Sequence, residues 1–319
     1  MSSRFPDAET LRAALSLAVR APSVHNSQPW RWVVRGHSLH LYADPERHLP
    51  ATDPDCRDLQ LSCGATLHHC VVALASLDWK ATVHRLPDPG DPNHLAAITM
   101  TPHPSADVEV KLATAIQDRR TDRRHYSARE VSPADIALIG ARVARSGVAM
   151  RRVESLTDLN AVIDQAVSRH VSDYEYLSEL TRWSGRYASL AGIPAHSTPA
   201  PDPSAPVPGR LFAGPVLMQP TNSSGAGDHG VVLALGTRDD DALARLRAGE
   251  ATSLLLLTAT ALGMATCPIT EPLEVAETRA ALRDELFDSR EYPQMLVRVG
   301  WPAADADLLP ATPRRKPRV

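Results

Sequence analysis

The alternation of apolar and polar positions divides the chain into recognisable elements. The apolar pattern predicts a helix over Ala8 to Val19. Two short runs, Trp30 to Val34 and Ser38 to Tyr42, flank Arg35-Gly36-His37 and read as a β-hairpin. A long apolar helix is expected from about Cys56 to Leu77, and its Gly64, Ala65 and Ala73 permit close helix packing. Strands are expected at Lys80 to Leu86 and His94 to Pro102, then a helix from Val108 to Asp118. Ser132-Pro133 reads as an N-cap followed by proline at the first helical position, opening a helix that ends near Gly147. Ala149 to Val153 is a strand. Apolar residues from Leu156 to Trp183 predict one further amphipathic helix. Beyond a long irregular stretch come a strand at Val231 to Gly236, a helix from Asp241 to Leu262 and a strand at Gln294 to Gly300.

The irregular stretch carries eight prolines between Pro194 and Pro220. A segment of that length without secondary structure is either a functional lid or a linker. Trp183, Tyr187, His196 and Phe212 lie in or beside it and favour a lid. A weak internal repeat is also legible. A gapless offset of 185 places Leu61 on Leu246, Gly64 on Gly249 and Leu77 on Leu262, each in a long apolar helix that precedes a strand.

Composition narrows the function classes. The 319 residues are 43% apolar and 22% charged, as in an ordinary globular protein. A formal charge of −3 gives no reason to expect nucleic acid or an anionic membrane as partner. Met1 to Glu9 has no apolar segment of the kind a leader needs, and no apolar run reaches the roughly 18 residues of a membrane span. A cytoplasmic protein is expected. Cys56, Cys63 and Cys70 recur every seven residues along one helix, too far apart for one metal ion, and read as core residues. Gly225 to Gly230 has a G-x-G-x-x-G spacing but precedes a strand, which is the wrong order for a dinucleotide fold.

Two segments carry the chemistry. Ala21-Pro22-Ser23-Val24-His25-Asn26-Ser27-Gln28-Pro29-Trp30 is a polar turn pinned by a proline near each end. Arg119-Arg120-Thr121-Asp122-Arg123 is a charge run, which by itself also reads as a solvated face paired with Asp118 and Asp122. The first resembles the A-P-S-x-x-N-x-Q-P-W signature of the FMN-dependent nitroreductase fold, the second its R-x-S-x-K/R motif. The stretch from Leu254 to Trp301 is similar to the end of the same fold.

The resemblance implies FMN as cofactor. Pro22, Ser23, Val24, Asn26 and Gln28 would face the flavin and ribityl oxygens, with His25 a bystander. Arg119, Arg120 and Thr121 would meet the phosphate, and Arg123 the pyrimidine edge. Ile269 and Thr270 fall where the family presents a backbone amide to flavin N5; the next residue, often glycine, is Glu271 here. Arg314 and Arg315, with Lys316, resemble the basic pair that closes on the phosphate. No acid–base residue is implied.

In the family R-x-S precedes the turn, whereas here it follows by nearly a hundred residues. That order resembles the Acg-type flavoproteins, in which a nitroreductase dimer is fused into one chain beneath a lid. The implied fold class is α+β, with two pseudo-symmetric α/β repeats, mixed sheets flanked by helices and a lid insertion at about 184–220. The halves would be 1–107 and 108–319. The implied activity is NAD(P)H-dependent two-electron reduction of a nitroaromatic or quinone-like small molecule by a monomer that is an intramolecular dimer. The alternative is a lidded protein that binds FMN with little turnover.

Overall fold

Two four-stranded sheets stand on either side of a central pair of helices. The computed structural model describes residues 5–186, 189–221 and 223–317. The first four residues, Tyr187 beside the lid and the last two residues of the tail lie outside the described residues.

The first half runs α1 (Ala8–Ala18), β1 (Trp30–Arg35), β2 (Ser38–Ala43), α2 (Arg57–Ser76), β3 (Trp79–Arg85) and β4 (His94–Pro102). A connecting helix, α3 (Asp107–Asp118), leads to α4 (Pro133–Ala144), β5 (Ala149–Arg152), α5 (Leu156–Val171) and α6 (Tyr174–Trp183). After the lid come β6 (Val231–Thr237), α7 (Ala242–Ala261), β7 (Ala265–Ile269), α8 (Glu271–Glu274), α9 (Ala276–Phe287) and β8 (Tyr292–Gly300). The sheets have orders β1-β2-β4-β3 and β5-β6-β8-β7, which are the same order in the two halves. Even the irregularities match: β2 slips register between Leu41 and Tyr42, and β6 between Leu235 and Gly236.

α2 and α7 carry small or apolar residues on nearly every face, so both are buried all round. They cross at the pair that the sequence offset aligns. A Cβ on Gly64 would fall on the Leu246 carbonyl oxygen, and one on Gly249 would fall on the Leu61 carbonyl oxygen. Only glycine allows backbones this close. His68 Nδ1 and Ser253 Oγ, again 185 apart, meet at 2.7 Å beside the crossing. Gly64→Ala is therefore expected to destabilise the chain by about 3 kcal/mol or more, since two helix backbones must part to admit one methyl group. A urea melt with an unchanged midpoint would show that the helices do not cross here.

Four expectations are corrected. The sheets are antiparallel in every ladder, not mixed; the only parallel pairings among the described residues are isolated bridges such as Thr121 with Thr266. The helix from Leu156 to Trp183 is broken at Ser172-Asp173. There the Asp173 carboxylate accepts from the amides of Glu175 and Tyr176 and restarts the chain as α6. Patterning gave no sign of β7, whose Cys267-Pro268 reads poorly as a strand, or of α8 and α9. Cys63 and Cys70 are core residues as expected, but Cys56 is half-buried at the start of α2.

The second sheet is covered on its outer side by α5 and α9 through Leu159, Ile163, Leu282 and Phe287. The lid lies over the junction of the halves. Among the described residues no helix is long and apolar enough to cross a membrane, and no cluster of His, Cys, Asp or Glu could hold a metal.

Candidate functional site

The turn between α1 and β1 is held in an uncommon backbone shape. His25, Asn26 and Gln28 have φ of +45°, +53° and +54°, the left-handed region that side chains other than glycine seldom enter. Ser23 Oγ accepts from the Gln28 amide at 2.9 Å, and Ser62 Oγ on α2 accepts from the Val24 amide at 3.2 Å. The hydroxyls thus enforce the turn from inside. Such strain persists where surrounding contacts over-determine the backbone, and it concentrates at functional sites.

The turn forms one wall of a cavity of about 220 Å³ at the junction of the halves. Pro22, Ser23, Val24 and Asn26 line it from the first half. Arg119, Arg120, Thr121 and Arg123 line it from the segment after α3, which the Asp122 amide ties to the Thr266 carbonyl of β7 at 2.9 Å. Ile269, Thr270 and the tail residue Arg314 complete the set that the sequence singles out. Gln28 and Arg315 stand outside the wall. Gln28 is buried, donates to the Leu190 carbonyl at 2.7 Å and accepts from the Arg315 amide at 2.9 Å, so this pair fastens lid and tail to the turn.

One end of the cavity gathers positive charge. Arg119 is only 5% exposed, yet its Nε and Nη1 have no partner, and Arg314 Nε has none. Arg20 at the end of α1 and Arg120 lie with them, donating to main-chain carbonyls of Ile116, Gln117 and Leu309. Among the described residues none of these four guanidiniums forms an ion pair. Burial, with Arg120 and Arg20 nearby, pushes Arg119 down to about 10. Burial together with Arg119, Arg20 and Arg120 pushes Arg314 down to about 9. Guanidinium does not give up its proton in proteins, so these shifts express unmet charge that an anion would relieve. The cluster is not the solvated face paired with Asp118 and Asp122: Asp122 is used by Arg124, at 2.8 Å.

The lid closes the other end. Asn26 Nδ2 donates to the Gly192 carbonyl at 3.0 Å and to Pro313 at 3.2 Å, leaving its Oδ1 buried without a partner. Arg123 donates to the Ser197 carbonyl at 3.0 Å and stands 5.0 Å from the Phe212 ring. Asp202 meets His125 at 2.7 Å, and hydrogen bonds from His125 and Ser204 hold its carboxyl down at about 2.

Arg210 is the lid's central anchor. Its guanidinium donates to Glu274 and to Thr270 Oγ1, and its Nε is 3.8 Å from Glu271. It also meets His25 Nε2 at 2.7 Å. Arginine can only donate, so His25 Nε2 carries no proton and Nδ1 does. Burial and the nearby Arg210 and Arg123 keep His25 neutral, its pKa well below the usual value. His25, expected to be a bystander to the flavin, is buried, lines the cavity and seats the lid.

Arg210 itself had no signal in the sequence, being a lone cation in a proline-rich run. The Glu271 that departs from the family's glycine was legible, but not its use. It holds the lid arginine together with Glu274, while His170 of α5 approaches both carboxylates. Arg20 and Asp58 were also missed. Asp58 lines the cavity floor beside Arg57, and burial displaces its carboxyl upward against that partner's pull.

No family model matches the chain. A Mycobacterium tuberculosis H37Rv protein named "Putative NAD(P)H nitroreductase Rv3131" is 60% identical over 316 residues, spanning 99% of this chain and 92% of the relative. A second protein of that strain, "Putative NAD(P)H nitroreductase acg", is 37% identical over 316 residues, 96% of this chain and 93% of its own. Among solved structures, a nitroreductase of Bacteroides fragilis with bound FMN covers 62% of this chain and 91% of its own, at 18% identity and a TM-score of 0.40. One from Anabaena variabilis covers 94% and 90%, at 11% identity and a TM-score of 0.49. With 60% identity along almost the whole of both sequences, this chain belongs to the nitroreductase family, in its Acg-type branch.

Proposed function

We propose that the chain binds one FMN in the cavity at the junction of its halves and uses NAD(P)H to reduce a nitroaromatic or quinone-like acceptor by two electrons. The observation that carries this reading is the group of buried guanidinium donors on Arg119 and Arg314 that no protein atom satisfies. Arginine offers planar paired donors that suit a phosphate dianion. Two relatives whose names give NAD(P)H nitroreductase agree with it.

In this reading Arg119, Arg120, Arg314 and Arg20 hold the phosphate. The Asn26 turn and Thr270 bracket the ring, whose chemistry is transfer of two electrons through N5. Arg123, half-buried and without a carboxylate partner among the described residues, stabilises negative charge at the pyrimidine edge. The division at 107/108 is part of the proposal, supported by the matching strand orders of the two sheets.

A second reading, a lidded FMN-binding protein with little turnover, is favoured by the hydrogen bonds that close the lid on Asn26, Gln28, Arg123 and His25. One set of spectra separates the two. Purified protein is expected to absorb near 450 nm and to bleach when NADH or NADPH is added. Bleaching with dithionite alone supports the second reading, and colourless protein after reconstitution with FMN ends both.

A further inference from the structure

The pseudo-two-fold that relates the halves requires a second place equivalent to the cavity, and the structure has a cleft there. The offset that aligns α2 with α7 continues into the strands beyond them. Asp78, at φ +66°, matches Gly263, at φ +88°, and Arg85 falls on Thr270. Strand registers agree: Lys80 pairs with Thr101 as its counterpart Ala265 pairs with Gly300, and His84 pairs with Ala97 as Ile269 pairs with Leu296. By the same offset Arg247 falls on Ser62 and Glu250 on Ala65. Ser62, Ala65 and Thr270 line the first cavity, whereas Arg247, Glu250 and Arg85 line a cleft of about 570 Å³.

Two changes distinguish the cleft from its counterpart. The strained polar turn occupies residues 19–29 between α1 and β1, but α4 reaches β5 through residues 145–148 alone. The cleft is therefore left open at Arg145, Ser146 and Gly147. Across its floor, Arg85 Nε and Nη2 donate to the two oxygens of Glu250 at 2.8 and 2.9 Å. This bidentate pair spans the positions equivalent to Thr270 and Ala65, and so fills ground that would lie against a tricyclic ring.

What remains is cationic at the mouth and apolar at the side. Three arginines face one glutamate, which is already committed to Arg85. Among the described residues neither Arg145 nor Arg247 forms an ion pair. Val71, Ala81 and Val83 supply the apolar wall, and His68 stands beside it, its Nδ1 bonded to Ser253.

We propose that this cleft is a converted second cofactor position that binds a small organic phosphate monoester. Its dianionic head meets Arg145 and Arg247, two charges against two, and its body lies on the Val71, Ala81 and Val83 wall. Glu250 repels the anion from the floor and fixes the head at the mouth. The conversion rests on the reading of the first cavity as a flavin site; the affinity for the anion does not.

The test is calorimetric titration of the flavin-loaded chain with phenyl phosphate and, separately, with inorganic phosphate. One saturable site per chain is expected for phenyl phosphate, with a Kd of about 1 mM or tighter. Inorganic phosphate is expected to bind about tenfold more weakly for want of the apolar wall. The double variant R145A/R247A, neither of whose positions lines the first cavity, is expected to weaken phenyl phosphate at least about tenfold. No saturation, or equal uptake by wild type and the double variant, overturns the proposal. Equal binding of the two probes overturns the role of the apolar wall. Flavin content, read at 450 nm on the same samples, reports separately on the first cavity: colourless protein whose phenyl phosphate uptake still depends on Arg145 and Arg247 overturns the flavin reading alone.

Discussion

Arg119→Met is expected to weaken FMN binding about 100-fold while leaving the flavin-free chain as stable as wild type, or more so. Two to three charge-assisted hydrogen bonds to a phosphate, at about 1.5 kcal/mol or more each, account for a loss of about 3 kcal/mol. The opposite effect on the free chain follows from the same geometry. Arg119 is buried among Arg20, Arg120 and Arg314; its Nη2 reaches the Arg20 carbonyl at 3.4 Å, but its Nε and Nη1 reach no acceptor, and a buried charge that is only partly satisfied opposes folding. Methionine keeps the apolar stem and removes that charge. Titration followed by flavin fluorescence gives the affinity, and thermal melts with and without FMN give the rest. A purely structural arginine would lower the melting temperature in both states. Flavin affinity within threefold of wild type would remove the cluster from the phosphate site.

Arg210→Met is expected to release the lid. The Arg210 side chain is 8% exposed and that of Glu274 is fully buried. Removing one member of a buried ion pair leaves its partner charged and unpaired, at a cost of about 3–5 kcal/mol. Part of that cost is avoided if the lid lifts and admits water to Glu271 and Glu274. Proteolysis within 195–215 is therefore expected to quicken at least about tenfold, with flavin still bound, and bleaching by NADH to quicken with it if the closed lid limits access. A double variant, R210M/E274M, replaces the pair by apolar side chains and keeps the fold while the lid is loosened.

The pH dependence changes sign between the two proteins. In the wild type, burial would raise the Glu271 carboxyl, but Arg210 and His170 outweigh it and hold the pKa below its usual value. The stability this contributes is present above the ordinary carboxylate range and lost as pH falls through the depressed value. In Arg210→Met burial acts without that cation, the carboxyl rises, and lid closure weakens as pH rises. Proteolysis rates at pH 5 and pH 8 test this: Arg210→Met is expected to be cut faster at pH 8, whereas the wild type, whose Glu271 transition lies below that interval, is expected to be level across it. The same slope in both proteins would show that Arg210 does not hold Glu271.

The internal repeat was legible in the sequence, and its consequence is visible in the α2–α7 crossing. Leu61, Gly64 and Leu77 share an offset with Leu246, Gly249 and Leu262, and the glycines meet at the crossing because a buried helix pair needs small residues wherever backbones touch. Signals of this kind are local or periodic and survive in one dimension. The Ser132 cap, the hairpin at Arg35-Gly36-His37, the Asn26 turn and the Arg119 motif belong to the same class.

Tertiary structure alone decided the remainder, because it depends on residues brought together from distant segments. Arg210 becomes the lid's anchor only when His25, Thr270 and Glu274 surround it. Gln28 and Arg315, alike in motif terms to their neighbours, turn to each other instead of to the cavity. Arg85 and Glu250 lie 165 residues apart and close a floor that neither announces. Hydrophobic period and turn chemistry are written along the chain; the pairing of charges is settled only once burial strips away water and each must find a partner across the fold.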